Sequence, residues 1–163
     1  MDRRAIEQKI CEAFKGVTLG GGVSLCQARV ADRYGDGFTG AELAALVHPE
    51  ITDDWASVPF GELEHDSCIG HLDAEGLRHY LPALMMSVLD HDDACSMRVI
   101  GTLQALDGRE VYNQSRLRLL NEEQLRAIAA FPGALPNLVD LSASDTKVVS
   151  RSLKAYWSRY WAP

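Results

Sequence analysis

The sequence predicts a mainly α-helical fold, of the α+β class, with a small β-hairpin near residues 68–81. Apolar residues recur at helical spacing in most segments, and turn residues separate those segments. The hairpin is predicted where an Asp-to-Gly turn, residues 73–76, lies between two short apolar runs. The chain has 163 residues, of which 47% are hydrophobic and 24% charged. A chain of this length and composition buries about two-thirds of its unfolded surface. We therefore expect a single domain over residues 1–163.

The first two helices are predicted from apolar spacing and capping residues. Ile6 and Ile10 share one face of a segment that runs from residue 2 to residue 14. Beyond a run of three glycines, Ser24 is suited to cap a second helix, which extends to about Tyr34. The start of the chain is thus expected to be helical.

A third helix and a loop are expected next. Thr39 and Glu42 have the spacing of a capping box, which predicts a helix that ends before Pro49. Prolines and acidic residues follow, and they indicate a loop in which Trp55 and Val58 turn inward.

The most apolar stretch of the chain can be interpreted in two ways. Asp73 and Gly76 suit the first and fourth positions of a type I turn between two short strands, and Pro82 suits the start of a helix that extends to about Asp90. Alternatively, Asp73 caps one long helix that Pro82 kinks. We favour the hairpin, preceded by a short helical turn at residues 60–64.

Two further helices are predicted in the second half of the chain. Residues 97–106 are interpreted as a helix that ends at a turn formed by Asp107 and Gly108. Asn121 precedes acidic residues, which are favoured near the positive end of a helix dipole. It therefore predicts the start of a helix, and Pro132 is expected to end that helix.

A terminal helix is predicted to begin at Ser144 or Asp145. Its apolar side chains fall at helical spacing, in a stripe that is typical of a docking face rather than of a ligand site. The stripe comprises Val149, Leu153, Tyr156 and Tyr160, and Trp157 and Trp161 widen it.

The four cysteines lack the Cys-x-x-Cys spacing of a zinc ribbon or a redox motif. Each has apolar neighbours, so we expect reduced and buried thiols. No segment has the apolar core of a signal peptide or the roughly 18 apolar residues of a membrane span. These features predict a cytoplasmic protein that does not bind a membrane, and no pattern indicates a cofactor.

Metal-ligand residue types are concentrated between residues 65 and 95. Their spacing is not that of familiar zinc or iron sites, in which two histidines lie one helical turn apart, so a metal site is disfavoured. A small metal-dependent hydrolase that uses His and Asp side chains of residues 65–93 remains the alternative function. The residues are His65, Cys68, His71, Asp73, His79, His91, Asp92, Asp93 and Cys95.

The glycines at positions 20–22 could allow backbone amides to approach an anion at the start of a helix. However, the Gly-Lys-Ser/Thr ending of a P-loop is missing, and the preceding segment is predicted to be a helix rather than a strand. Ser24 also lacks the Gly-x-Ser-x-Gly context of a hydrolase nucleophile. We interpret this loop as a flexible connection between two helices.

Charge is distributed unevenly along the chain. The net charge is −7, yet residues 34–97 contain thirteen Asp or Glu and a single basic residue, Arg78. Without nearby Lys or Arg, these carboxylates should create a broad negative potential that repels nucleic acid and favours a basic protein partner. The residues expected to meet that partner are Glu62, Glu64, Asp66, Asp90, Asp92, Asp93 and Trp55, with Phe60 as a second apolar anchor.

The segment Leu-Asp-Ala-Glu-Gly-Leu-Arg-His-Tyr-Leu-Pro-Ala, residues 72–83, resembles the core of an uncharacterised family of small bacterial proteins. Phe14-x-Gly-Val, Trp55-x-x-Val-Pro and Leu120-Asn-Glu-Glu-Gln-Leu-x-Ala-Ile-x-x-Phe extend the resemblance over residues 14–131. Leu77 stands where an aromatic residue is usual in that family. The resemblance implies a recurring domain of unknown function, without an assigned activity.

These observations favour a non-enzymatic protein-binding domain that acts through its acidic surface. Its most concrete form is an immunity protein that neutralises a secreted bacterial toxin or effector by occluding a basic site. This form is an analogy with other small acidic proteins. An accessory or scaffold subunit is a further alternative, and it differs only in the identity of the partner.

Overall fold

The computed structural model describes residues 2–35, 39, 41–42, 45, 53–63, 67–90 and 97–161. Within these ranges the chain forms eight α-helices and four 3₁₀ turns, and it forms no strand. The 3₁₀ turns are Trp55–Ser57, Ser67–His71, Leu135–Asn137 and Trp157–Arg159. The helices are α1 (Arg3–Ala13), α2 (Leu25–Tyr34), α3 (Phe60–Leu63), α4 (Ala74–Asp90), α5 (Met97–Ala105), α6 (Val111–Leu117), α7 (Glu122–Ala134) and α8 (Ala143–Ala155).

The predicted β-hairpin near residues 68–81 is wrong. A 3₁₀ turn at Ser67–His71 leads into α4, and an oxygen of the Asp73 carboxylate accepts a hydrogen bond of 2.8 Å from the Gly76 amide. Asp73 therefore serves as a helix cap rather than as the start of a hairpin turn. The alternative interpretation, one long helix that begins after Asp73, is the observed one.

Helix α4 tolerates Pro82 in its interior because it is buried on most of its surface. Twelve of its seventeen residues are buried, so apolar burial offsets the backbone hydrogen bond that proline cannot make. The buried residues include Leu77, Leu81, Leu84, Met85 and Leu89.

Most predicted helix starts are confirmed. Ser24 caps α2 and Asn121 caps α7, each in a capping box with the glutamine three residues later. The terminal helix begins slightly earlier than predicted, because the hydroxyl of Ser142 accepts a hydrogen bond from the Asp145 amide. Pro132 lies inside α7 rather than at its end.

The predicted third helix lies mostly outside the described residues. Its predicted cap is present, since the Thr39 amide donates to the Glu42 carboxylate at 2.7 Å and the Glu42 amide donates to the Thr39 hydroxyl at 3.3 Å. This reciprocal pair is the expected capping box.

Helix α6 was not predicted, because only three of its seven residues are buried and its apolar pattern is weak. Two of its side chains hold the 3₁₀ turn at Ser67–His71 in place. Arg116 donates a hydrogen bond of 2.7 Å to the carbonyl of Ile69, and the Tyr112 hydroxyl donates one of 2.7 Å to the carbonyl of Gly70.

Helix α4 occupies the centre of the helical assembly. It packs against α1, α3, α5 and α6, while α7 contacts α1 and α8. Buried apolar side chains from all these elements form one continuous cluster. No helix among the described residues is long and apolar enough to cross a membrane.

Candidate functional site

The glycine-rich loop at residues 20–22 is held by a carboxylate of the same chain. The Val23 amide donates a hydrogen bond of 3.0 Å to the Asp73 oxygen that also caps α4. The side chain of Asp73 therefore occupies the place at which an anion would meet this amide. The loop joins α1 to α2 along the chain, and this hydrogen bond fixes it to the start of α4, so it is less free than the flexible connection that the sequence suggested.

Gly76 allows the glycine-rich loop to lie against the start of α4 with the two backbones in direct contact. A Cβ atom added at Gly76 would overlap the carbonyl oxygen of Val23, and one added at Gly22 would lie 2.8 Å from the Cβ of Glu75. Side chains do not fit at such separations. These contacts explain why Asp and Gly stand at positions 73 and 76 at the start of α4.

The histidines and cysteine of the predicted metal region have different environments. His79 is fully buried in α4, edge-on to Tyr80 at a centroid distance of 4.7 Å, and Cys68 is also buried. His71 is exposed, and its Nε2 lies 3.3 Å from a carboxylate oxygen of Asp32. Within the part of the chain that the structure describes, no three metal-ligand side chains form a cluster. His65, His91, Asp92, Asp93 and Cys95 lie outside that part.

Two of the predicted partner-binding carboxylates lie on the described surface, and each binds an arginine from an earlier helix. Glu62 accepts a hydrogen bond of 2.8 Å from Arg29 of α2, and Asp90 forms an ion pair with Arg3 of α1. Both carboxylates remain more than half exposed. The remaining predicted carboxylates, Glu64, Asp66, Asp92 and Asp93, lie outside the described residues.

At these two positions the acidic segment has basic partners that the sequence alone did not indicate. The arginines come from outside residues 34–97 in sequence but lie beside them in the fold. Other carboxylates of the segment accept hydrogen bonds from the backbone, as Asp54 does from the Ala56 amide at 3.0 Å. These described carboxylates are thus partly satisfied within the chain.

Trp55 is buried rather than exposed, so its assignment as a surface anchor is corrected. Only 6% of its surface is accessible, and its indole N–H donates a hydrogen bond of 2.9 Å to the Phe14 carbonyl. This orientation agrees with the prediction that Trp55 turns inward. Phe60 remains partly exposed, and its ring lies 4.4 Å from the guanidinium carbon of buried Arg98.

An apolar groove lies between α1, the turn at Trp55–Ser57, α3 and the second half of α4. Its volume is about 240 Å³. Asp90 and Cys11 also line it, so one of the predicted carboxylates lies directly at an apolar surface. Its main apolar residues are Val58, Phe60, Leu63, Ala83 and Met86.

Cys11 is exposed, although the sequence predicted a buried thiol, whereas Cys68 is buried as expected. Partial burial, together with the nearby negative charges of Glu7 and Glu12, raises the pKa of the Cys11 thiol. A raised pKa keeps the sulfur protonated near neutral pH, and the thiolate is the nucleophilic form. Cys11 therefore lines the groove as a protonated thiol and is not an activated nucleophile.

The sequence did not indicate the groove, because its residues come from four separate segments. The nearest signal was the pair Met85 and Met86 in α4, of which the first is buried and the second only half-buried. An unbranched apolar side chain at a partly open position is typical of adaptable binding surfaces.

A family model described as "Family of unknown function (DUF6714)" matches residues 2–161. No curated protein and no solved structure matches the chain.

Proposed function

We propose, for a chain that belongs to the DUF6714 family of unknown function, a role as a non-enzymatic domain that binds a basic protein through its acidic surface. The family supplies no activity, so the proposal rests on the chemistry of the surface. The observation that carries it is an exposed carboxylate at an apolar groove, since Asp90 lines the groove. Glu62 is a second exposed carboxylate, in α3.

Both carboxylates already bind guanidinium groups within the chain. Because such surface ion pairs contribute only about 0 to 1 kcal/mol, a partner's Lys or Arg can join or replace Arg3 and Arg29 at little cost. Complementary charge of this kind mainly raises the association rate and selects among partners. We propose an immunity protein as the concrete form, in which the domain occludes a basic site on a secreted toxin or effector.

The proposal is tested by neutralising the two carboxylates. A partner captured from the host by the tagged full chain is purified, and its association rate is measured with wild type and with the double variant E62Q/D90N. We expect about three- to tenfold slower association of the variant at low salt. The difference should shrink as ionic strength rises, because the Debye length falls from about 30 Å at 0.01 M to about 10 Å at 0.1 M.

The matched control is E110Q/D140N, which removes the same charge from exposed positions outside residues 34–97. It should associate at close to the wild-type rate. Equal rates for wild type and E62Q/D90N at low salt, or a captured partner without a basic surface, would contradict the proposal.

A further inference from the structure

We infer that the apolar groove receives one side chain, of the size of leucine or phenylalanine, from a partner segment that carries Lys or Arg next to it. The inference rests on the proposed function and specifies the chemistry of the segment that is bound. It follows from the volume of the groove, the exposure of its lining and the charges at its edge.

The volume of the groove matches a single side chain. A cavity of about 150 Å³ accommodates benzene, and pockets for drug-sized ligands begin at about 300 Å³. The groove, at about 240 Å³, lies between these sizes. It is large enough for one aromatic or branched aliphatic group.

The lining of the groove combines a closed base with accessible walls. Leu63 and Ala83 are buried, whereas Val58, Phe60 and Met86 are only partly buried. The guanidinium of Arg98 lies against the Phe60 ring and helps to hold that wall in place. An apolar side chain from a partner would cover the apolar surface that these walls leave exposed to water.

The charges at the edge indicate what flanks the inserted side chain. The Asp90 carboxylate lines the groove and forms an ion pair with Arg3 of α1. This intramolecular pair shows that a guanidinium group fits at the edge of the groove. An apolar anchor in a pocket, surrounded by polar contacts at the rim, is the usual arrangement of an interface hot spot.

The test uses three labelled synthetic peptides and fluorescence anisotropy at low salt. The first has the sequence Gly-Lys-Arg-Leu-Lys-Arg-Gly, the second replaces its leucine with serine, and the third replaces its basic residues with glutamate. Burial of a leucine side chain contributes about 1.5 to 3 kcal/mol, so we expect the leucine peptide to bind roughly 10- to 100-fold more tightly than the serine peptide.

Two variants of the full chain test whether the leucine peptide binds at the groove. Met86→Ser removes an apolar wall of the groove and should weaken the leucine peptide about three- to tenfold while leaving the serine peptide unchanged. Val111→Ser is the matched control, since it removes an exposed apolar side chain from α6, far from the groove in sequence and not among its lining residues.

Cys11 supplies a second measurement that needs no variant. Because this exposed thiol lines the groove, the leucine peptide should slow its reaction with maleimide, as read by peptide mass spectrometry. Cys26, which does not line the groove, serves as the internal control.

The outcomes separate the two proposals. Equal affinity of the leucine and serine peptides, or unchanged labelling of Cys11, would overturn the inference about the groove and leave the charge-based function standing. Binding of the glutamate peptide as tight as that of the basic peptides would contradict the proposed function itself. Absence of binding by every peptide would overturn the inference.

Discussion

Replacement of Trp157 with alanine is expected to lower the free energy of unfolding by about 4 kcal/mol. Trp157 has no accessible surface, and it is the largest of the fully buried side chains. Its indole N–H donates a hydrogen bond of 2.7 Å to the carbonyl of Leu106, and its ring meets that of Tyr156 edge-on at 4.9 Å. The substitution removes a large apolar contact and leaves a buried carbonyl with one partner fewer.

Chemical denaturation of the full chain measures this effect, and two variants separate its parts. Trp157→Phe keeps most of the apolar contact but loses the hydrogen bond, so a loss of about 1 to 2 kcal/mol is expected. Trp161→Ala truncates a half-buried neighbour that lies over Gly133 and should cost less than Trp157→Ala. A loss below about 1 kcal/mol for Trp157→Ala would show that the chain end is not part of the core.

Replacement of Gly76 with alanine is expected to destabilise the fold by about 3 kcal/mol, although alanine normally favours a helix over glycine. The added Cβ would overlap the carbonyl oxygen of Val23. The clash involves backbone on both sides, so neither partner can move without breaking the hydrogen bonds that Asp73 makes to the Val23 and Gly76 amides.

Gly61→Ala is the matched control for this prediction. Gly61 also lies in the first turn of a helix, α3, and no heavy atom lies within 4 Å of a Cβ added there. We expect Gly61→Ala to be neutral or to stabilise by up to about 1 kcal/mol. Equal effects of the two substitutions in a thermal or denaturant unfolding experiment would show that the close approach of loop and helix does not hold in solution.

The helix starts could be predicted from the sequence because their causes are local. Ser24 and Asn121 each satisfy backbone amides within the next three residues, so the relevant atoms are adjacent in the chain. The burial of α4 also reflects local composition, because this segment lies in the most apolar stretch of the chain. A sequence pattern is informative when the interaction spans one turn of helix.

The hairpin prediction failed because an Asp followed three residues later by Gly fits two structures equally well. The same spacing suits a type I turn and the first turn of a capped helix. In the fold, the Asp73 carboxylate that caps the helix also accepts a hydrogen bond from the amide of Val23, which lies 50 positions away in sequence. No local pattern contains that information.

The same limit applies to the candidate site. The acidic composition of residues 34–97 was visible, but the pairing of Asp90 with Arg3 spans 87 positions and follows only from the packing of α1 against α4. The groove likewise requires four segments to meet. The sequence shows which residue types are present, but their contacts with residues distant in sequence are known only from the folded structure.

Hydrogen–deuterium exchange of the complex with the captured partner is the most direct test of the binding surface. If the apolar groove with Asp90 at its edge is the interface, exchange should slow at residues 55–63 and at the last turn of α4, which ends at Asp90, relative to the free chain. Protection confined to α6, α7 and α8, with exchange at residues 55–63 unchanged, would place the partner elsewhere and contradict the central claim.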